Sequence, residues 1–249
     1  MQNMEKYRSF LKAHWWYERD KVQTDKLKKI SPPPLQKPFS PDAHLIDLIP
    51  SEDLNIKGVT ILEAINNRKT HRKFTKDFLT LSELSFLLWA TQGVHKIDKL
   101  GRTKRTVPSA GARHPFETYL IINRVYEVDA GIYRYLPLEH KLCLISSGCV
   151  RKKNIKSAFR EQGFIARSAV IFVWAVIPYR SEWQYLMVAP KMIALDVGHL
   201  CQNLYLACEA IDAGTCAVGL YDQKQLDALV NVDGKEEFVI YAAPVGKIK

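Results

Sequence analysis

Hydrophobic residues recur at helical spacing in three stretches of the chain. Ile61, Leu62, Ala64 and Ile65 share helical intervals behind Thr60, whose hydroxyl suits a first-turn cap, which predicts a helix over Ile61–Asn67. Thr80-Leu81-Ser82-Glu83 has capping-box spacing and leads into Leu84, Leu87, Leu88 and Trp89, with Gly93 at the C-terminal cap position. Over residues 191–213, Ile193, Val197, Leu200, Leu204, Cys208 and Ile211 fall on one face, while Met192, Leu195, Cys201 and Leu206 make the other faces apolar too. A helix that is apolar nearly all round belongs in a core, or in one shared by two subunits, and Gly214 is predicted to end it. A shorter helix is predicted over residues 223–230.

Between these stretches the pattern is that of strands. Residues 117–125, 132–136 and 141–145 are rich in β-branched and aromatic side chains, and Pro137-Leu138-Glu139-His140 joins the last two as a hairpin. Residues 168–177 are apolar on both parities, as a strand covered on both faces must be. A last strand is predicted over residues 237–243. The class that follows is α+β, a largely antiparallel sheet flanked by helices.

Residues 1–55 are different. Phe10, Leu11, Trp15 and Trp16 form an amphipathic patch, followed by Pro32-Pro33-Pro34, Pro38 and Pro41. Such a Pro-studded segment holds neither a regular helix nor a central strand. The expected organisation is an extended basic arm, residues 1–55, packed on a single domain, residues 56–249, or on a partner subunit. With 249 residues, 47% of them hydrophobic, the chain can bury a full core, which rules out disorder.

Charge adds one point: 36 Lys and Arg against 26 Asp and Glu give a net charge of +10, so an anion is an expected partner. Five cysteines without C-x-x-C spacing do not form a disulfide framework. The first residues mix charges and contain no apolar signal core, and the longest apolar run, residues 169–178, is about half a bilayer span. A cytoplasmic protein without a membrane partner is expected.

The common nucleotide and zinc signatures are missing: no G-x-G-x-x-G, no G-x-x-x-x-G-K-[ST], no H-E-x-x-H. The seven histidines are scattered singly, so no metal is expected. Three clusters remain. Arg68, Lys69, Thr70 and Arg72 place three cations and a hydroxyl within five residues, which suits a phosphate, although basic runs at helix ends are commonly solvated. Pro108-Ser109-Ala110-Gly111-Ala112 and Gly214-Thr215-Cys216-Ala217-Val218-Gly219 are runs of small residues where backbone N–H groups can approach a flat ligand; each alone reads more readily as an ordinary tight turn.

Taken in order, these segments resemble the nitroreductase family of flavoproteins, especially its branch of SagB-type, thiazole/oxazole-oxidase-like dehydrogenases. The likeness runs through FLK at 10–12, PPLQKP at 33–38, the basic motif at 68–74 and LSELSFLLWATQG at 81–93. It continues through TVPSAGARHPFETYL at 106–120, GIYRY at 131–135, LDVGHLCQNLYLACEAIDAGTC at 195–216 and APVGK at 243–247. The resemblance implies a nitroreductase-like fold and an intertwined homodimer with non-covalent FMN at the subunit interface. It implies that Arg68, Lys69, Thr70 and Arg72 hold the FMN phosphate and ribityl chain. Pro108, Ser109, Ala110 and Gly111 of the other subunit would face the isoalloxazine ring. Gly219 and Leu220 would place backbone amides near flavin N5 and O4, Gln162 would lie by the pyrimidine edge, and Lys247 would supply a late cation for the phosphate.

The implied activity is reduction of electron-poor acceptors, nitroaromatics or quinones, with NAD(P)H as co-substrate in a ping-pong cycle. Azoline oxidation in peptides is the alternative within the family. Members that perform it show a Lys-Tyr pair before the long helix, where this chain has Gln184-Tyr185. A neutral amide cannot act as the base, although Tyr185 can still orient or protonate a substrate. From another class, nucleic-acid binding is suggested by the net charge and by Trp15, Trp16 and Tyr17 among cations, but no nucleic-acid fold signature accompanies them, so this role is not expected. A flavin carrier without turnover is the third reading.

Overall fold

The computed structural model describes residues 4–249. In chain order its elements are α1 (Glu5–Ser9), α2 (Trp15–Asp20), β1 (Leu45–Asp47), α3 (Ile61–Asn67), α4 (Leu81–Gln92), β2 (Val94–Ile97), β3 (Thr103–Arg105), β4 (Phe116–Ile122) and β5 (Gly131–Leu136). They continue as β6 (Lys141–Ser147), α5 (Lys152–Ala158), β7 (Val170–Val176), α6 (Tyr179–Tyr185), α7 (Ala189–Glu209), β8 (Ala213–Thr215), α8 (Gln223–Leu229) and β9 (Phe238–Lys247).

Seven strands form one sheet in the order β1-β6-β5-β4-β7-β9-β8, every neighbouring pair antiparallel. β4 and β7 are buried along their whole length because helices cover both faces. On one face, α4 and α7 set Leu84, Leu87, Leu88, Val197, Leu200 and Leu204 against Leu120, Phe172 and Trp174. On the other, α5 and α8 set Ile155 and Leu226 against Ile121, Ile171 and Val173. The alternation of parities along β7 thus divides into two cores, as a doubly covered strand requires.

Local sequence explains where the two N-terminal helices of the domain begin. Both α3 and α4 start in a complete capping box: Thr60 with Glu63 and Thr80 with Glu83, each threonine hydroxyl accepting from the glutamate N–H while the carboxylate accepts from the threonine N–H. α7 differs from its predicted span. It begins at Ala189, with Pro190 in its first turn, and ends at Glu209, before Gly214. The chain reverses instead at Asp212, which takes a left-handed φ of 50°, and Gly214 lies inside β8. Gly214 is required by close approach: a Cβ there would lie 2.6 Å from the His71 Cβ.

The N-terminal residues lie across this domain. Trp15 and Trp16 belong to α2, and β1 adds the edge strand beside β6. The Pro-rich segment between them is fastened by buried charges, Glu117 and Arg134 on the sheet and Arg105 on β3, which pairs with β2 as a separate ribbon. Arg105 donates to the Leu35 carbonyl at 3.1 Å, Arg134 to that of Pro38 at 2.9 Å, and the Lys37 N–H donates to Glu117 at 2.8 Å. Glu117 also accepts from Arg180 at 2.6 Å and lies 4.0 Å from Arg134, with all three side chains at most 3% exposed. Burial pulls the Arg105 guanidinium down to about 10, with Glu117 opposing the shift. Among the described residues no helix is long and apolar enough to cross a membrane.

Candidate functional site

α7 is apolar over most of its buried length, and two of its buried polar residues, Asp196 and Tyr205, organise two separate clusters. The first gathers around Tyr205. After α3 the chain runs extended beside β8, with a parallel bridge between Thr70 and Thr215 and the His71 N–H donating to the Thr215 carbonyl at 2.9 Å. The Tyr205 hydroxyl lies 3.2 Å from the Thr70 hydroxyl and accepts from the Ala217 N–H at 2.9 Å. Its ring carries the Arg68 guanidinium, 5.4 Å from the centroid. The Cys216 thiol donates to the Ala217 carbonyl at 3.6 Å; burial pushes its pKa up, and the charge of Arg72 pulls it the other way.

Arg68, Lys69 and Arg72 enter none of the ion pairs among the described residues. They therefore form a patch of positive charge with no carboxylate of its own, along a stretch of backbone made of small residues. The same loop continues to Gly219 and Leu220, both exposed, and a Cβ on Gly219 would meet nothing within 4 Å. Gln162 closes its far end, donating to the Leu220 carbonyl at 2.7 Å and to that of Phe159 at 3.0 Å. Lys247, at the end of β9, donates to the Glu83 carboxylate and to the Ile211 carbonyl.

The second cluster gathers around Asp196. The Ser109 hydroxyl donates to Asp196 at 2.6 Å, the Ala110 N–H donates at 3.1 Å, and Ser109 in turn accepts from the His114 N–H at 2.9 Å. Burial raises the Asp196 carboxyl, and the bonds from Ser109 and Ala110 pull it the other way. Burial also drives the His114 imidazole down to about 3, so it is neutral at physiological pH. Gly111 turns the loop at φ 59°, and a Cβ there would fall 2.7 Å from the Tyr185 hydroxyl and 2.8 Å from the Gln184 amide nitrogen. The left-handed φ favours glycine, and a Cβ here would have to push both side chains aside. Burial raises the Tyr185 hydroxyl, against Arg113 and Arg19, which lower it.

The predicted residues thus divide. Arg68, Lys69, Thr70 and Arg72 lie beside the loop that ends at Gly219 and Leu220, where Gln162 bonds the Leu220 carbonyl; Pro108, Ser109, Ala110, Gly111 and Tyr185 lie elsewhere. Asp196 and Tyr205 are nine positions apart on α7, which is two and a half turns, so they leave the helix on opposite faces about 13 Å apart along its axis.

A model of the family described as "Nitroreductase family" matches residues 65–247. The chain belongs to the nitroreductase family. Its similarity extends to a nitroreductase candidate of Methanocaldococcus jannaschii, MJ1384, at 29% identity over 193 residues, 78% of this chain and 93% of that protein. The trifolitoxin-processing protein TfxB of Rhizobium leguminosarum bv. trifolii is 26% identical over 144 residues, 54% of this chain and 37% of TfxB. Among solved structures, a nitroreductase candidate of Ralstonia eutropha JMP134 superposes with a TM-score of 0.69 at 25% identity, covering 85% of this chain and 92% of that one.

The family match begins after α2 and β1, yet α2 and the segment that follows it reach the second cluster. The Trp16 ring meets Tyr185 edge-on at 5.9 Å, Arg19 donates to the Gln184 carbonyl at 3.3 Å, and the Lys26 ammonium donates to the Gln184 side-chain oxygen at 3.2 Å. Sequence reasoning did not single out Asp196, Tyr205 or Arg113. The first two are polar positions on a helix otherwise predicted as core, a signal that can be sought directly.

Proposed function

We propose that this chain is an FMN-dependent oxidoreductase that works as a homodimer, draws reducing equivalents from NAD(P)H and reduces electron-poor acceptors, quinones or nitroaromatics. The observation that carries this reading is the unpaired cation patch of Arg68, Lys69 and Arg72 beside an open small-residue loop, in a chain of the nitroreductase family. The donor set fits FMN. The three cations and the Thr70 hydroxyl would hold the phosphate and ribityl chain, and Lys247, with two of its three donors taken by Glu83 and Ile211, has one left for the same end. Gly219 and Leu220 would offer backbone to the ring edge, next to Gln162. When bound, FMN supplies the two-electron carrier that this protein's side chains lack.

The placement of the two clusters supports the dimer. No single flavin can touch Arg68 and Gly111 of one chain if the clusters leave α7 on opposite faces, so the Pro108–Gly111 loop would come to the site from a second copy. In that site the chain's own residues have separate tasks. Asp196 fixes the loop through Ser109 and Ala110, Gly111 leaves room for Tyr185, and the Tyr185 hydroxyl keeps its proton and can donate it to a substrate oxygen.

Steady-state assays test this reading. Oxidation of NADPH should accelerate on adding a quinone, with parallel lines in double-reciprocal plots because the two substrates use the site in turn. A protein that holds flavin but shows no acceptor-dependent rate would be a carrier instead. The SagB-type reading, dehydrogenation of azoline rings in peptides, has the likeness to trifolitoxin-processing TfxB in its favour. Gln184 in place of a base weighs against it.

A further inference from the structure

We infer that Arg113, with Arg19 and Lys26, forms an anion-binding subsite at the second cluster, which selects substrates carrying a carboxylate or a phosphate. The inference deepens the oxidoreductase reading and rests on it for the identity of the site. Arg113 is 6% exposed. Its Nε donates to the Arg180 carbonyl at 2.8 Å and its guanidinium lies on the Trp183 ring, 4.7 Å from the centroid. The two terminal nitrogens donate to no acceptor among the described residues, and no carboxylate pairs with it.

A buried guanidinium without a counter-ion is costly unless something anionic completes it. Burial lowers its pKa, Arg180 and Arg102 lower it further, and no carboxylate opposes them. The acids nearby are occupied. Asp196 is bonded to Ser109 and Ala110, and Asp20 pairs with Arg19 at 2.9 Å.

Two more cations come from the N-terminal segment. Arg19 has a buried Nε with no partner. Lys26 is exposed and has only the neutral Gln184 amide as its side-chain partner. Trp16 and Tyr185 add aromatic surface beside them. Arg113 and Lys26, which have no carboxylate partner, with the unpartnered Nε of Arg19 beside them, lie next to aromatic faces and a proton-bearing hydroxyl and match an aromatic or conjugated substrate with an anionic substituent. The segment outside the family match would thereby set which substrates the family chemistry meets.

Two sources of the anion are compatible with this chemistry, a carboxylate on the acceptor and the 2′-phosphate of NADPH, and the experiment separates them. Quenching of tryptophan fluorescence by 4-nitrobenzoate and by neutral 4-nitrobenzyl alcohol gives their affinities without turnover, since Trp16 and Trp183 border the subsite. The wild type should bind the carboxylate about tenfold tighter or more, the factor expected of a charge-assisted hydrogen bond. Arg113→Gln should abolish that preference and leave the affinity for the alcohol nearly unchanged. Should the variant fail to fold, Arg19→Gln with Lys26→Gln, at solvent-accessible positions, should reduce the preference in the same way.

In parallel, the KM values for NADPH and NADH are compared in each variant. A rise for NADPH alone assigns the subsite to the 2′-phosphate, and a loss of nitrobenzoate preference alone assigns it to the acceptor. Equal binding of the charged and neutral nitroarenes by the wild type, with no NADPH-specific change in any folded variant, overturns the proposal. Quinone reduction that proceeds normally in that case leaves the oxidoreductase reading standing. Arginine-dependent anion binding without flavin or turnover would keep the subsite and remove that reading.

Discussion

Arg68→Ala combined with Arg72→Ala is expected to give a folded protein that emerges from purification nearly free of flavin. Neither side chain belongs to the core: Arg72 is exposed, Arg68 lies over the Tyr205 ring, and neither is ion-paired. Their removal therefore leaves no buried carboxylate stranded, and the thermal transition should move little. The loss for a bound phosphate is large. Charge-assisted hydrogen bonds contribute about 1.5–3 kcal/mol each, so two of them correspond to weakening on the order of a hundredfold to ten-thousandfold. Flavin content per chain, read from absorbance after gel filtration, checks it. Full flavin content in the double variant would show that the phosphate lies elsewhere.

Glu117→Ala is expected to cost about 3–5 kcal/mol of folding stability, the usual consequence of removing one partner from a buried ionic cluster. Arg180 and Arg134 would remain at about 3% exposure without their carboxylate, and the Lys37 N–H would lose its acceptor. Some donors of this cluster already lack partners, among them Arg180 Nη1 and Arg134 Nε, so no spare acceptor stands ready to replace Glu117. The Pro-rich segment should loosen together with the fold, because its attachments at Leu35, Lys37 and Pro38 converge on the same cluster. Urea denaturation measures the first effect and limited proteolysis within residues 31–38 the second. A loss below about 1 kcal/mol, typical of exposed pairs, would contradict the cluster's role.

The elements that could be read from sequence are those whose cause is local. Thr60 with Glu63 and Thr80 with Glu83 announce two helices because a capping box is a four-residue device. β7 could be read because its apolar run admits no solvent-facing side. The β2–β3 ribbon could not: Val-His-Lys-Ile and Thr-Lys-Arg are mixed in polarity, and β2 is mostly exposed, so hydrophobic pattern is silent there. β8, three residues long, has no pattern of its own and forms because β9 and the basic segment flank it. Glycine suits a helix stop, so the pattern places one at Gly214, whereas its cause is the approach of His71, a contact between residues far apart in sequence.

The site divides along the same line. Arg68, Lys69, Thr70 and Arg72 stand together in sequence and remain together in space. The links from Asp196 to Ser109, from Tyr205 to Ala217 and from Lys26 to Gln184 join distant parts of the chain. Composition cannot show such links: Ser109 and Gln184 stand out in sequence, but their partners Asp196 and Lys26 do not.

The most direct measurement is the visible absorption spectrum of the purified protein, before and after NADPH is added without oxygen. A bound-flavin spectrum that bleaches on addition is the result expected of an FMN-dependent oxidoreductase drawing on NAD(P)H. A colourless protein that takes up no added FMN would contradict the cofactor, the role of the Arg68 to Arg72 patch and the proposed activity together.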